Sequence, residues 1–156
     1  MRNKNVRLLL NLLITLVVIS VALAGYVNWQ KNHFSCEAQI TLVTDRGTED
    51  LIMHFRFSGD TGQYESKGKY ITASGREIPT SNKIDFTFWR DGDALVMISD
   101  ETNAIPKTAG SVYPYTPDFF YSRERGLRWK LTMENAAGYL FSYDDTPAFY
   151  CAITRK

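Results

Sequence analysis

Two cysteines, two histidines and one adjacent pair of aspartates are the residues of this 156-residue chain best suited to chemistry. Their placing argues against most of it. Cys36 and Cys151 form no CxxC pair and have no histidine at metal-ligand spacing, so a zinc site or a thioredoxin-like redox centre is a poor reading. His33 sits in the polar stretch "NWQKNHFS". His54 alternates onto the polar side of "LIMHFRF" and reads as an exposed strand residue. Neither has a nucleophile or acid motif beside it. Asp144-Asp145 reads as turn chemistry rather than a carboxylate dyad. No GxSxG, HExxH, P-loop or dinucleotide-binding glycine fingerprint occurs. The expectation is a protein that is not an enzyme and uses no cofactor and no metal.

The cysteines point to structure instead. In "CEAQITLV", Cys36 alternates in phase with Ala38, Ile40 and Leu42. In "FYCAIT", Cys151 is in phase with Phe149 and Ile153. Both thiols therefore face the apolar side of a strand. In an oxidising compartment the simplest reading is a disulfide tying the first strand to the last. Two buried free cysteines are the alternative.

The N-terminus supplies the compartment. Leu8 to Val27 carry no charge, and as a helix such a run spans roughly 30 Å, the thickness of a bilayer core. Arg2, Lys4 and Arg7 precede it, and no acidic residue does. Positive residues stay inside, which places the N-terminus in the cytoplasm and the rest in the periplasm. Ala22-Leu23-Ala24 resembles a signal-peptidase site, so cleavage after Ala24 is one reading. The preferred reading is an uncleaved anchor, because the apolar run continues past Ala24 and Tyr26 and Trp29 stand where an interfacial aromatic belt belongs. The expected organisation is a cytoplasmic tail over 1–7, a transmembrane helix over 8–27, a spacer over 28–35 and a periplasmic β domain over 36–156.

Beyond the tail and the apolar run, fifteen basic side chains face seventeen acidic ones. Such a balance offers no nucleic-acid footprint. Aromatics make up 13% of the chain, which suits a β domain with a real core. Period-two alternation runs almost throughout. Leu51, Met53, Phe55 and Phe57 share one face; so do Tyr64, Ser66, Gly68, Tyr70 and Thr72, with Gly68 as a bulge or bend. Ile84, Phe86 and Phe88 share another, ahead of a hairpin signal at Asp91-Gly92. Trp129, Leu131 and Met133 point in. The fold class is mainly β, with seven or eight antiparallel strands. They form an up-and-down, lipocalin-like barrel or a two-sheet sandwich, preceded by one transmembrane helix.

From Thr102 to Gly126 the alternation stops. This loop carries Tyr113, Tyr115, Phe119, Phe120 and Tyr121, followed by Arg123 and Arg125. A loop of this length is usually functional or mobile. One reading makes it a partner or ligand loop. The other makes it a cap, with a short helical turn, folded over one end of a barrel. Arg123, Arg125, Arg128 and Lys130 form a basic cluster that suits an anion or, more simply, a solvated face.

The plan as a whole resembles the FidL-like family of small enterobacterial inner-membrane proteins. The likeness rests on the short basic tail, the single span, "SCEAQITLV", "GKYITASG" and "FWRDGDAL". It implies an accessory role beside a membrane-bound, winged-helix transcription regulator of the ToxR type. By looser analogy it implies a ToxS-like periplasmic barrel able to hold a bile-salt-like small molecule. No functional residue carries over. A stand-alone carrier of an amphipathic ligand and an envelope assembly factor without a ligand are the competing readings.

Overall fold

The computed structural model describes residues 2–102 and 116–154. Tyr113, Tyr115 and the side chain of Arg2 lie outside the described residues. The chain divides into two compact units, Met1–His33 and Phe34–Lys156.

The first unit is one helix, α1 (Arg2–Asn32). Its sequence has no proline, and its polar interruptions are absorbed locally. Thr15 Oγ1 donates to Asn11 O and Ser20 Oγ to Leu16 O, both at 2.9 Å. Side chains from 6 to 31 are all exposed. The helix is apolar on every side, and Val6–Asn32 is long and apolar enough to cross a membrane. The helix reaches further than the expected 8–27. Nothing in Asn28–Asn32 breaks it, and Gln30 Nε2 donates to Tyr26 Oη at 2.8 Å. The expected spacer over 28–35 is thus shared between helix and strand.

Eight strands follow: β1 (His33–Thr44), β2 (Gly47–Ser58), β3 (Thr61–Thr72), β4 (Glu77–Asp91), β5 (Ala94–Thr102), β6 (Gly126–Asn135), β7 (Gly138–Tyr143) and β8 (Thr146–Ile153). They pair in sequence order into a closed antiparallel barrel. The barrel reading therefore holds and the sandwich does not. Turn chemistry explains the short connections. Gly92, at φ +65°, turns β4 into β5 beside the pair Asp91↔Ala94.

Alternation sets the interior. Phe55, Phe57, Ile84, Phe86, Phe88 and Phe141 are all buried, and each such side chain contributes about 1.5–3 kcal/mol on leaving water. Their rings pack at offset and edge-on angles, as between Phe57 and Phe88, 5.2 Å apart at 87°.

Three expectations change. Gly68 is not a bulge, since the β2–β3 and β3–β4 registers run unbroken through it. It is glycine because a Cβ there would lie 1.9 Å from the Asp50 carbonyl oxygen, where β2 presses close. Met133 does not point in: the β6–β7 register slips between Met133 and Asn135, and the side chain is exposed. β4 starts well before Lys83 and takes in Pro79. There β3 is its neighbour among the described strands, with Pro79 opposite Lys69.

Candidate functional site

The barrel interior changes character along its axis. At one end Phe34, Phe57, Phe86 and Phe88 fill it. Toward the other end the same inward rows turn polar. β2 runs from Phe57 and Phe55 to Glu49, β4 from Phe88 and Phe86 to Asn82 and Thr80, and β3 from Tyr64 to Ser66. Four polar side chains thus converge where a filled barrel would carry apolar ones. Between them lies a cavity of about 270 Å³.

The walls of that cavity are mostly apolar and aromatic: Leu51, Met53, Tyr64, Phe120, Trp129 and Phe149. Glu49 is only 4% exposed. A carboxyl group so placed is costly to bury unless it is hydrogen-bonded or paired. Burial raises the Tyr64 phenol well above its ordinary value, with Tyr121 and Glu49 adding to the effect and a hydrogen bond to Ser66 opposing it. Tyr121 is pushed up to about 12, first by burial and then by Glu49, against a hydrogen bond with Thr116. Two further polar atoms, Thr80 Oγ1 and Trp129 Nε1, are buried with no hydrogen-bond partner. Such groups are rare in folded proteins and commonly mark a place where something else binds.

One flank of the cavity is a seam. β1 and β8 pair at Cys36↔Ile153 and Glu37↔Ala152, and Thr154 N–H donates to Ser35 O at 2.9 Å on the side away from the cavity. Past that point the two strands share no register. Ile40 and Leu42 of β1, and Ala148 and Phe149 of β8, border the cavity instead. Leu42 is 37% exposed and Val43 77%. The disulfide Cys36–Cys151, with Cα atoms 5.4 Å apart, fastens the seam where its pairing ends.

The predicted loop residues separate. Asp118–Phe120 forms a short 3-10 turn, as the cap reading anticipated. Phe119 is fully buried in the core and is not among the cavity walls, whereas Phe120 and Tyr121 line it. The turn is held from β4, where Asn82 Nδ2 donates to Phe120 O. The return of the loop is held from β5: Ser99 Oγ donates to Ser122 O at 2.6 Å and accepts from Arg125 N–H at 3.0 Å. Arg123 and Arg125 project outward, away from the cavity, and Arg123 lies 3.6 Å from Glu124. The rest of the basic cluster is matched by acids, Arg128 with Asp91 at 2.7 Å and Lys130 with Asp145 at 3.5 Å. His54 is half-buried rather than exposed, opposite Glu65. Lys4 and Arg7 lie near the start of α1, and Tyr26 and Trp29 near its end, their rings 6.4 Å apart.

Sequence reasoning missed Glu49, Thr80 and Asn82. The signal was present: each stands in phase with the apolar residues of its own strand, and an inward polar residue in such a row marks a wall that something polar must meet. No family model matches the chain, and no curated protein is similar to it.

Proposed function

We propose that this chain is a single-span inner-membrane accessory protein, its N-terminus in the cytoplasm and its barrel in the periplasm. There the barrel engages and tunes a membrane-bound, winged-helix regulator of the ToxR type. The observation that carries this reading is the seam. Beyond Glu37 and Ala152, β1 and β8 are strand edges with no pairing between them, and exposed Leu42 and Val43 stand on one of them. An unpaired edge is a template for an incoming strand, whose main chain supplies affinity and whose alternate side chains supply specificity. The docked strand would also close the side of the cavity, so ligand and partner would bias the same element. Anchoring through residues 8–27 raises the barrel's effective concentration around a partner in the same membrane. The resemblance to FidL-like proteins supports this choice of partner.

A second reading keeps the barrel and drops the regulator. A cavity of about 270 Å³ with unmatched polar atoms supports a stand-alone carrier of a small amphipathic molecule. Affinity purification of the tagged full-length protein from membranes separates the two. The regulator reading expects a one-span protein with a cytoplasmic winged-helix domain at near-stoichiometric level. Recovery of the barrel protein alone favours the carrier.

A further inference from the structure

We propose that the barrel cavity binds a small neutral molecule of one ring, whose carbonyl or hydroxyl oxygen accepts from Trp129 Nε1–H. The inference rests on the carrier reading of the cavity and needs no regulator. Four observations carry it.

The unmet donor comes first. Trp129 lines the cavity at 6% exposure, and its Nε1–H is buried with no hydrogen-bond partner. An indole N–H donates and does nothing else, so an acceptor is what it lacks. Phe141 and Phe149 pack edge-on against the indole, at 6.2 and 5.6 Å and both at 74°. They hold the ring in place instead of leaving it to turn toward an acceptor in the barrel wall.

A second lining residue is in the same position. Thr80 is 8% exposed, and its Oγ1 is buried without a partner. A hydroxyl both donates and accepts, so it suits a carbonyl or a hydroxyl on the ligand.

Charge separates the ligand classes. Both unmet groups are neutral, and among the described lining residues there is no lysine, arginine or histidine. An anion would leave water here without a counter-charge from those residues, which is costly. Glu49, the one carboxyl among them, has an interaction of its own, so no cation is assigned to it. A neutral oxygen acceptor meets the indole N–H without the cost of burying an ion.

Walls and size set the last limit. Leu51, Met53, Tyr64, Phe120 and Phe149 offer apolar and aromatic surface to a single ring. At about 270 Å³ the cavity lies just below the ~300 Å³ at which sites for drug-sized ligands begin. A one-ring compound is a better match than a steroid.

The test uses the full-length protein in lipid nanodiscs, with empty nanodiscs as the blank. The probes are acetophenone, ethylbenzene (similar in shape, with no acceptor), benzoate, benzylamine and glycocholate. In calorimetric titration acetophenone is expected to bind about fivefold or more tightly than any of the others, since a site with a buried donor rejects an analogue that leaves it unmet. Proton–nitrogen NMR follows the donor itself. The chain has three tryptophans. Trp29→Phe and Trp89→Phe, both at exposed positions, assign two indole signals and leave the third to Trp129. That signal is expected to move further downfield with acetophenone than with ethylbenzene. Trp129→Phe, which keeps a ring in the wall, is expected to remove the preference for acetophenone over ethylbenzene. Binding of ethylbenzene or a charged probe as tight as that of acetophenone overturns the inference while leaving a ligand-binding barrel in place. An unmoved Trp129 signal with acetophenone bound, or a preference that survives in Trp129→Phe, does the same. So does binding of glycocholate alone. Failure of every probe to bind the folded protein overturns the inference and removes the carrier reading with it, leaving strand docking to be decided by purification.

Discussion

Cys36 and Cys151 are disulfide-bonded at the point where the pairing between the first and last strands stops. The bond therefore replaces hydrogen bonds that the seam lacks. It closes a loop spanning 115 positions, which on the chain-entropy model is a stabilisation of about 4–5 kcal/mol. Reductant, or the double substitution Cys36→Ser with Cys151→Ser, is expected to lower the urea midpoint of the full-length protein by a corresponding amount. An unchanged midpoint would show that the ladder alone holds the barrel shut.

One buried hydroxyl helps to hold the return of the loop. Ser99 is fully buried, and its Oγ serves both Ser122 O and Arg125 N–H. Ser99→Ala leaves those two backbone groups short of a partner, at a cost of about 1–3 kcal/mol. Proteolysis within 121–126 should accelerate more than proteolysis elsewhere. Uniform susceptibility across the barrel argues that the Asn82 hydrogen bond, the Ser99 backbone and the packing of Phe119 and Phe120 hold the loop without that hydroxyl.

Gly68→Ala sets a methyl group 1.9 Å from the Asp50 carbonyl oxygen, so β2 or β3 must shift. Overpacking of this kind costs about 1–3 kcal/mol. Gly126→Ala is the control, since nothing lies within 4 Å of a Cβ there. Thermal unfolding should separate the two clearly, and equal melting temperatures would contradict the close approach of β2.

Tyr64 and Tyr121 give the barrel an alkaline limit. Both phenols are raised in the folded state, mainly by burial, from an unfolded value of 10.0. The folded protein then holds protons that the unfolded chain has released, so their contribution is intact below pH 10 and falls as the pH climbs toward about 12. Tyr64→Phe should flatten that decline in urea titrations at successive pH values. A wild-type slope in the variant would remove Tyr64 from the account.

Much of the barrel is legible in the sequence. Alternation in "LIMHFRF" and "KIDFTFW" placed the inward rows, because a strand with one buried face must repeat every second residue. The cysteine phases anticipated a bond between the first strand and the last. What alternation does not carry is where two backbones press together, which is why Gly68 looked like a bulge. Nor does it show where a register slips, which is why Met133 looked buried. The cavity was missed for a related reason. Glu49 lies on β2 and Thr80 and Asn82 on β4, with β3 between them, and they become one wall only after the sheet curls. The loop aromatics divided between core and cavity wall because a 3-10 turn sends neighbouring residues in different directions, and Phe119 and Phe120 stand nearly perpendicular at 87°.

The central claim, that the β1–β8 seam receives a strand from a membrane-bound regulator, is tested most directly by photo-crosslinking in living cells. A photoreactive residue is placed at Val43, on the unpaired edge of β1, and separately at Trp89, exposed on the outer surface of β4. The account predicts one abundant adduct from position 43, identified by mass spectrometry as a single-span protein with a cytoplasmic winged-helix domain, and little from position 89. Adducts of equal yield from both positions, or none from position 43, would contradict it.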